Sequence, residues 1–132
     1  MKKYTQPYEL NMKDSTIIHG IPNCTTVKKA RAWLAQHDIE TKFYDYKKTP
    51  LTPEQLSRWE SALGWENLLK KTGTAWRALP DEAKVNLSRD KVLGLLHAYP
   101  NLLRRPIVEL SDGRVLAGFV ESQYAAAFQP QD

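Results

Sequence analysis

Residues 15–30 constrain this chain more than any others: an apolar run, a Gly and Pro break, one cysteine, then the start of a helical repeat. Ser15 to Ile21 reads as a first strand, with Gly20 and Pro22 as its punctuation. From Thr25 to about His37, Val27, Ala30, Trp33 and Leu34 recur at helical spacing, leaving Lys28, Lys29, Arg31 and Gln36 for other faces. Thr41 to Tyr46 is aromatic, β-branched and alternating, and reads as a second strand. Strand, helix and strand over this length make a βαβ unit, whose strands are parallel and whose crossover is right-handed. The chain is therefore of the α/β class.

The middle of the chain is helical. Thr52-Pro53-Glu54-Gln55 supplies an N-cap, a proline at the first helical position and a glutamine at the capping-box position. Leu56, Trp59 and Leu63 form the apolar stripe of that helix, and Gly64 stops it. Trp65 to Lys71 reads as a short helical piece, Thr72-Gly73-Thr74 as a break and Asp81 to Asn86 as another turn. Ser88 caps a helix carrying Val92, Leu95, Leu96 and Tyr99, which ends at Pro100. Together these form a helical insertion over residues 50–100. Arg105 to Leu110 starts a third strand, Ser111-Asp112-Gly113-Arg114 is a hairpin signal, and Arg114 to Phe119 returns antiparallel. Val120 to Phe128 closes with a helix. The order βαβ, helices, ββα is the thioredoxin-like layout, a four-stranded mixed sheet between helices. A single domain is expected over 15–128, with a flexible polar extension at 1–14 and a frayed tail at 129–132.

Composition limits what such a domain does. With 132 residues, 42% hydrophobic and 26% charged, the chain supports one core. Its net charge of +4 is spread along the sequence, and the pairs Lys47-Lys48, Lys70-Lys71 and Arg104-Arg105 are accompanied by no nucleic-acid-binding signature. No apolar run reaches the roughly 18 residues of a membrane span, and the first residues lack the apolar core of a secretory signal. One cysteine allows neither an internal disulfide nor a zinc cluster built on cysteine, and no metal is expected. A reducing, cytoplasmic setting fits this usage, and a monomer is expected.

The lone Cys24 sits where the first strand meets the first helix. Unpaired backbone N–H groups and the helix dipole at such an end favour an anion, and the thiolate is the reactive form of cysteine. Lys28 lies one helical turn on and is expected on the same face. Other candidates read as structural: His19 as a packed strand-end histidine, the tryptophans 33, 59, 65 and 76 as core, and Asp45 and Glu109 as carboxylates with no partner in view. Trp76-Arg77, after the Gly73 break, is a candidate pocket wall.

Several motifs in unbroken order carry a resemblance: Gly20-Ile21-Pro22-Asn23-Cys24, Lys28-Lys29-Ala30, Gly64-Trp65-Glu66-Asn67-Leu68-Leu69, Gly73-Thr74-Ala75-Trp76-Arg77 and Leu103-Arg104-Arg105-Pro106-Ile107. Over residues 15–120 the chain resembles the arsenate reductase (ArsC) family, nearest its YffB-like branch, a neighbour of the Spx-type regulators. The resemblance implies that Cys24 is the nucleophile, that Arg105 binds an oxyanion or a glutathione carboxylate, and that Arg105–Pro106 is a cis peptide beside the thiol. Asn23, Thr25, Thr26, Lys70, Arg105 and Pro106 are then the expected contacts for substrate or glutathione.

Four positions depart from the arsenate reductases. Gly20 stands where those enzymes carry His, and Lys28, Lys70 and Gly118 stand where they carry Arg. Lysine is a point charge without arginine's planar fork, so the swaps weaken the case for a tetrahedral oxyanion. Val27 replaces the second cysteine of the switch found in Spx relatives. The function so implied is a glutathione-dependent monothiol reductase. Glutathione is its co-substrate and glutaredoxin a candidate partner, with no tightly bound cofactor. The alternatives are arsenate reductase proper and an Spx-like module that contacts RNA polymerase.

Overall fold

The apolar run that opens the domain becomes the inner strand of a four-stranded sheet in a computed structural model that describes residues 15–129. That strand, β1 (Thr16–Gly20), leads through a three-residue bend and Cys24 into α1 (Thr25–Gln36). The chain returns in β2 (Thr41–Asp45), which pairs with β1 in parallel, Gly20 lying opposite Asp45. The N–H of Tyr46, one residue beyond β2, donates to the Gly20 carbonyl at 3.1 Å. This bond ties the residue after β2 to the end of β1, just before the cysteine.

The insertion contains α2 (Pro53–Leu63), α3 (Trp65–Leu68), α4 (Thr74–Arg77) and α5 (Arg89–Ala98), with 3-10 turns at Asp81–Ala83 and Pro100–Leu102. Its start is fixed by a reciprocal capping box. The Thr52 hydroxyl accepts from the Gln55 N–H at 3.1 Å, and the Gln55 side-chain oxygen accepts from the Thr52 N–H at 2.9 Å. Ser88 caps α5 through the Lys91 N–H at 3.3 Å. Then β3 (Ile107–Glu109) pairs antiparallel with β1, and β4 (Val115–Ala117) pairs antiparallel with β3. The sheet order is β2-β1-β3-β4, and α6 (Glu121–Ala127) follows. This is the thioredoxin-like mixed sheet.

Strand alternation splits the core into two layers. Ile18, Val108 and Leu110 face α1 and α6, where they pack with Ala30, Trp33, Leu34 and Tyr124. Ile107 and Val115 face the insertion and pack with Leu56, Trp59, Leu68, Leu96 and Leu103.

Several elements are shorter than their sequence patterns, and three of them bear on the site. The third strand begins at Ile107, because Pro106 has no N–H for the ladder; its carbonyl instead accepts from the Gly118 N–H at 2.8 Å. The fourth strand stops at Ala117, because Gly118 turns the chain at φ 77. The helix expected to Lys71 stops at Leu68, since Leu69 becomes extended and bridges Leu103. That bridge lays Lys70 along the segment leading to Arg105. The extension at 1–14 and the tail beyond Gln129 lie outside the described residues.

Candidate active site

Cys24 is the N-cap of α1, in extended conformation at φ −149 and ψ 123. Its carbonyl accepts the first helical bond, from the Lys28 N–H at 2.9 Å. The thiol closes no side-chain capping bond of ordinary geometry, yet the unpaired N–H groups of the first turn act on it at longer range. Partial burial pushes the Cys24 thiol up, but the Val27 N–H, the Arg105 guanidinium and the Thr26 N–H outweigh it. The net effect is a lowered pKa, which raises the thiolate fraction at neutral pH.

The cation set against the thiol is Arg105. Burial pulls its own pKa down, while Cys24 and Tyr46 raise it more. Its Nη1 donates to the Asn101 carbonyl at 3.0 Å, whereas its buried Nε has no partner among the described residues. A buried donor left unpaired costs roughly 1–3 kcal/mol, so the guanidinium is poised for an anionic acceptor. The Arg105–Pro106 peptide is cis, and Pro106 is buried beside Gly20.

Tyr46 completes the cluster. Burial pushes its hydroxyl up and Arg105 pulls it down, while Cys24 and Asp45 raise it further, leaving it above the ordinary value. Its hydroxyl donates to Asn101 Oδ1 at 3.3 Å. Asn101 thus holds Tyr46 with its side chain and Arg105 with its backbone.

Gly20 explains the missing histidine of the arsenate reductases. A Cβ at this position would stand 3.0 Å from Val27 Cγ2 and 3.8 Å from Pro106 Cβ. The space a side chain needs is filled by the residue that replaces the second cysteine of the Spx relatives. Similarly, Gly118 has φ 77, and a Cβ there would meet Arg104 Cδ at 3.3 Å.

The other expected residues are distributed unevenly. Asn23 and Thr25 are exposed beside the thiol, and Thr26 is half-buried. Lys70 is half-buried, and its N–H donates to the Leu102 carbonyl at 2.8 Å. Lys28 is exposed and is not among the strongest influences on Cys24. The spacing rule that placed it presumes two helical residues, whereas Cys24 is extended.

Tyr46 and Asn101 escaped the sequence reading. Asn101 precedes Arg105 by four residues across a proline-started turn, the one local hint of their contact. Glu109 is not partnerless: it accepts from His19, Trp59 and Arg58. These donors lie 50 to 90 residues away in sequence, beyond any spacing argument. His19 is the packed histidine expected, with its ring centroid 4.8 Å from that of Trp59.

Residues 19–127 match the model of the ArsC family. The chain belongs to the ArsC family. It is 44% identical over 111 residues to an uncharacterized protein of Haemophilus influenzae, covering 84% of this chain and 96% of that one. The global transcriptional regulator Spx of Streptococcus mutans is 32% identical over 113 residues, covering 84% and 80% respectively. Among solved structures, a YffB protein superposes with a TM-score of 0.81 at 40% identity, covering 86% of this chain and 98% of its own. Among the described residues of this ArsC-family protein, no helix is long and apolar enough to cross a membrane.

Proposed function

We propose that this protein is a glutathione-dependent monothiol reductase with Cys24 as nucleophile. The observation that carries the reading is the setting of the only thiol: at a helix N-terminus, acidified by Arg105 and by the Val27 and Thr26 N–H groups. In the reaction, the Cys24 thiolate attacks one sulfur of a disulfide formed between glutathione and a substrate thiol. A bond forms between Sγ and the glutathione sulfur, the old S–S bond breaks, and the substrate thiolate leaves and takes a proton from water. A second glutathione thiolate then attacks the Cys24 mixed disulfide, releasing glutathione disulfide and regenerating the Cys24 thiolate. The substrate is reduced, and two glutathiones are joined.

Arg105 is the anchor for a carboxylate of glutathione, aided by Asn23, Thr25, Thr26 and Lys70 around the site. Catalytic roles fall to Cys24 and Arg105; Lys28 adds positive field at the rim. Lysine at 28 and 70 and the occupied space at Gly20 and Gly118 favour disulfides over arsenate as the substrate.

Alkylation of Cys24 across pH, with and without glutathione, tests the proposal. The expected result is a thiol more acidic than free cysteine, at about 8.5, together with a glutathione mixed disulfide detected by mass. A thiol at or above that value that forms no such disulfide sinks it. The relatives named as global transcriptional regulator Spx support a second reading, a transcription-regulatory module, for which the family resemblance implies RNA polymerase as the partner. Retention of polymerase by the C24A protein is its expected mark, and a pull-down without polymerase subunits counts against it.

A further inference from the structure

We propose that the face around Cys24 is a docking surface for an acidic polypeptide, so that the preferred substrate is a disulfide carried on a protein segment rich in Asp and Glu. The sulfur chemistry rests on the reductase reading, whereas the choice of partner rests on where the fold puts its cations. Lys47-Lys48, Lys70-Lys71 and Arg104-Arg105 are far apart in the sequence. The fold sets them on three connections that meet beside the thiol loop. The segment after α3 runs along the one leading to Arg105: Leu69 bridges Leu103, and the Lys70 N–H donates to the Leu102 carbonyl at 2.8 Å. The turn after β2 joins them through the Tyr46 hydroxyl, which donates to Asn101 Oδ1 at 3.3 Å. The Tyr46 N–H ties the same turn to the Gly20 carbonyl at 3.1 Å.

Two grooves flank that turn, and both are positive. Lys48 and Arg31 line one together with Pro22, two residues before Cys24. Lys47 lines the other with Asn101, whose carbonyl holds the Arg105 guanidinium. Lys70 Nζ stands beside the Gly73 turn, 3.8 Å from where a Cβ would be. Arg104 turns away, its Nε donating to the Asn67 carbonyl at 3.0 Å. None of Arg31, Lys47, Lys48, Lys70, Lys71 and Arg105 has a carboxylate within 4.0 Å among the described residues. Asp45 is the one carboxylate that lines either groove, and it accepts from the Lys47 N–H at 2.9 Å. Like charges gathered on one face attract an oppositely charged partner and speed its encounter. Each exposed pair contributes little by itself, so the fitting partner presents several carboxylates at once. An acidic segment does that and a single small anion does not. Nucleic acid also carries repeated negative charge, but this face is centred on a thiol, whose exchange partner is sulfur, and polypeptides supply it.

Two decapeptides with one central cysteine, one rich in glutamate and the other in glutamine, test the surface as disulfides with thionitrobenzoate. The Cys24 thiolate attacks the peptide sulfur, a disulfide between Sγ and the peptide forms, and the old S–S bond breaks to release coloured thionitrobenzoate. The rate ratio of the glutamate to the glutamine peptide on the full chain is divided by the ratio on N-acetylcysteinamide. The expected quotient is on the order of 10 in about 10 mM salt, the low end of electrostatic steering. It should fall towards one as the Debye length shrinks from about 30 Å to about 8 Å at 150 mM salt. Lys47 and Lys48 are exposed, so K47E/K48E should abolish the preference and K47R/K48R should keep it. A quotient of one at low salt, or one indifferent to salt or to K47E/K48E, overturns the docking surface. Fluorescence anisotropy of the labelled glutamate peptide, with serine for its cysteine, reads docking without the thiol, and no binding in about 10 mM salt overturns it as well. So does a single-stranded oligodeoxynucleotide that binds more tightly than this peptide at the same salt, which would assign the face to nucleic acid. Glutathione added to the peptide-modified protein tests the reductase separately: failure to regenerate Cys24 refutes that reading while the docking surface stands.

Discussion

Replacing Glu109 with glutamine keeps the shape of the side chain and removes its charge. In the native protein Oε1 accepts from His19 Nε2 at 3.0 Å. Oε2 accepts from Trp59 Nε1 at 2.8 Å and from Arg58 at 2.7 and 3.2 Å. The carboxylate thus joins β1 and β3 to α2 of the insertion. Burial pushes the carboxyl up, but His19, Trp59 and Arg58 together hold it at about 2, against an ordinary 4.5. At about 1.4 kcal/mol per pKa unit, the displacement corresponds to about 3 kcal/mol at neutral pH. Glu109 is 16% exposed, but Arg58 is 55% exposed, and solvent screening at that end lowers the expected loss in E109Q to about 2 kcal/mol.

The sign follows from linkage. The folded pKa lies below the unfolded one, so the unfolded chain binds more protons between the two values. The stabilisation is complete above the unfolded pKa and is lost as pH falls through the folded one. The gap between wild type and E109Q should be full above about pH 5.5 and less than about half that at pH 3. Urea unfolding of both proteins at about pH 7, 5 and 3 measures it. A gap that does not change with pH, or one absent at neutral pH, refutes the charge as the source of the bond between sheet and insertion.

Three further outcomes follow from the site and its frame. Arg105→Ala should raise the Cys24 pKa in alkylation-rate titrations, and by more than Lys28→Ala does; the reverse order would reinstate Lys28 as the principal cation. Gly20→Ala should cost about 1–3 kcal/mol by overpacking against Val27, and a double-mutant cycle with Val27→Ala should recover part of that loss as coupling; simple additivity would show that the 3.0 Å approach is relaxed without cost. Thr52→Ala removes one half of the capping box and should cost about 1 kcal/mol in urea unfolding, and no change would mean that the first turn of α2 is held by Pro53 and packing alone.

The sequence disclosed what depends on near neighbours. The strand-to-helix junction at Cys24, the capping box at Thr52 and the Asp-Gly hairpin are local signals, and each marks an element where it occurs. Proline and glycine chemistry trimmed those elements at Pro106 and Gly118, which the alternation of apolar residues does not record. The site divides in the same way. Cys24 and Arg105 were legible through motif order, but Tyr46 and Asn101 join them only once β2 and the turn after α5 meet. Helical spacing sets Lys28 on the face of a helical neighbour, whereas Cys24 is itself extended and takes its cation from Arg105. Glu109 looked idle because its three donors come from β1 and α2.

The double duty of Asn101 has an evolutionary consequence. Arg105 is held by a carbonyl that any residue at 101 supplies, whereas Tyr46 is held by a side chain that only some residues provide. Substitution at 101 can therefore change what holds the Tyr46 hydroxyl while the cation keeps its backbone tether. Such a division lets position 101 vary by single steps at an exposed turn without releasing the cation set beside the nucleophile.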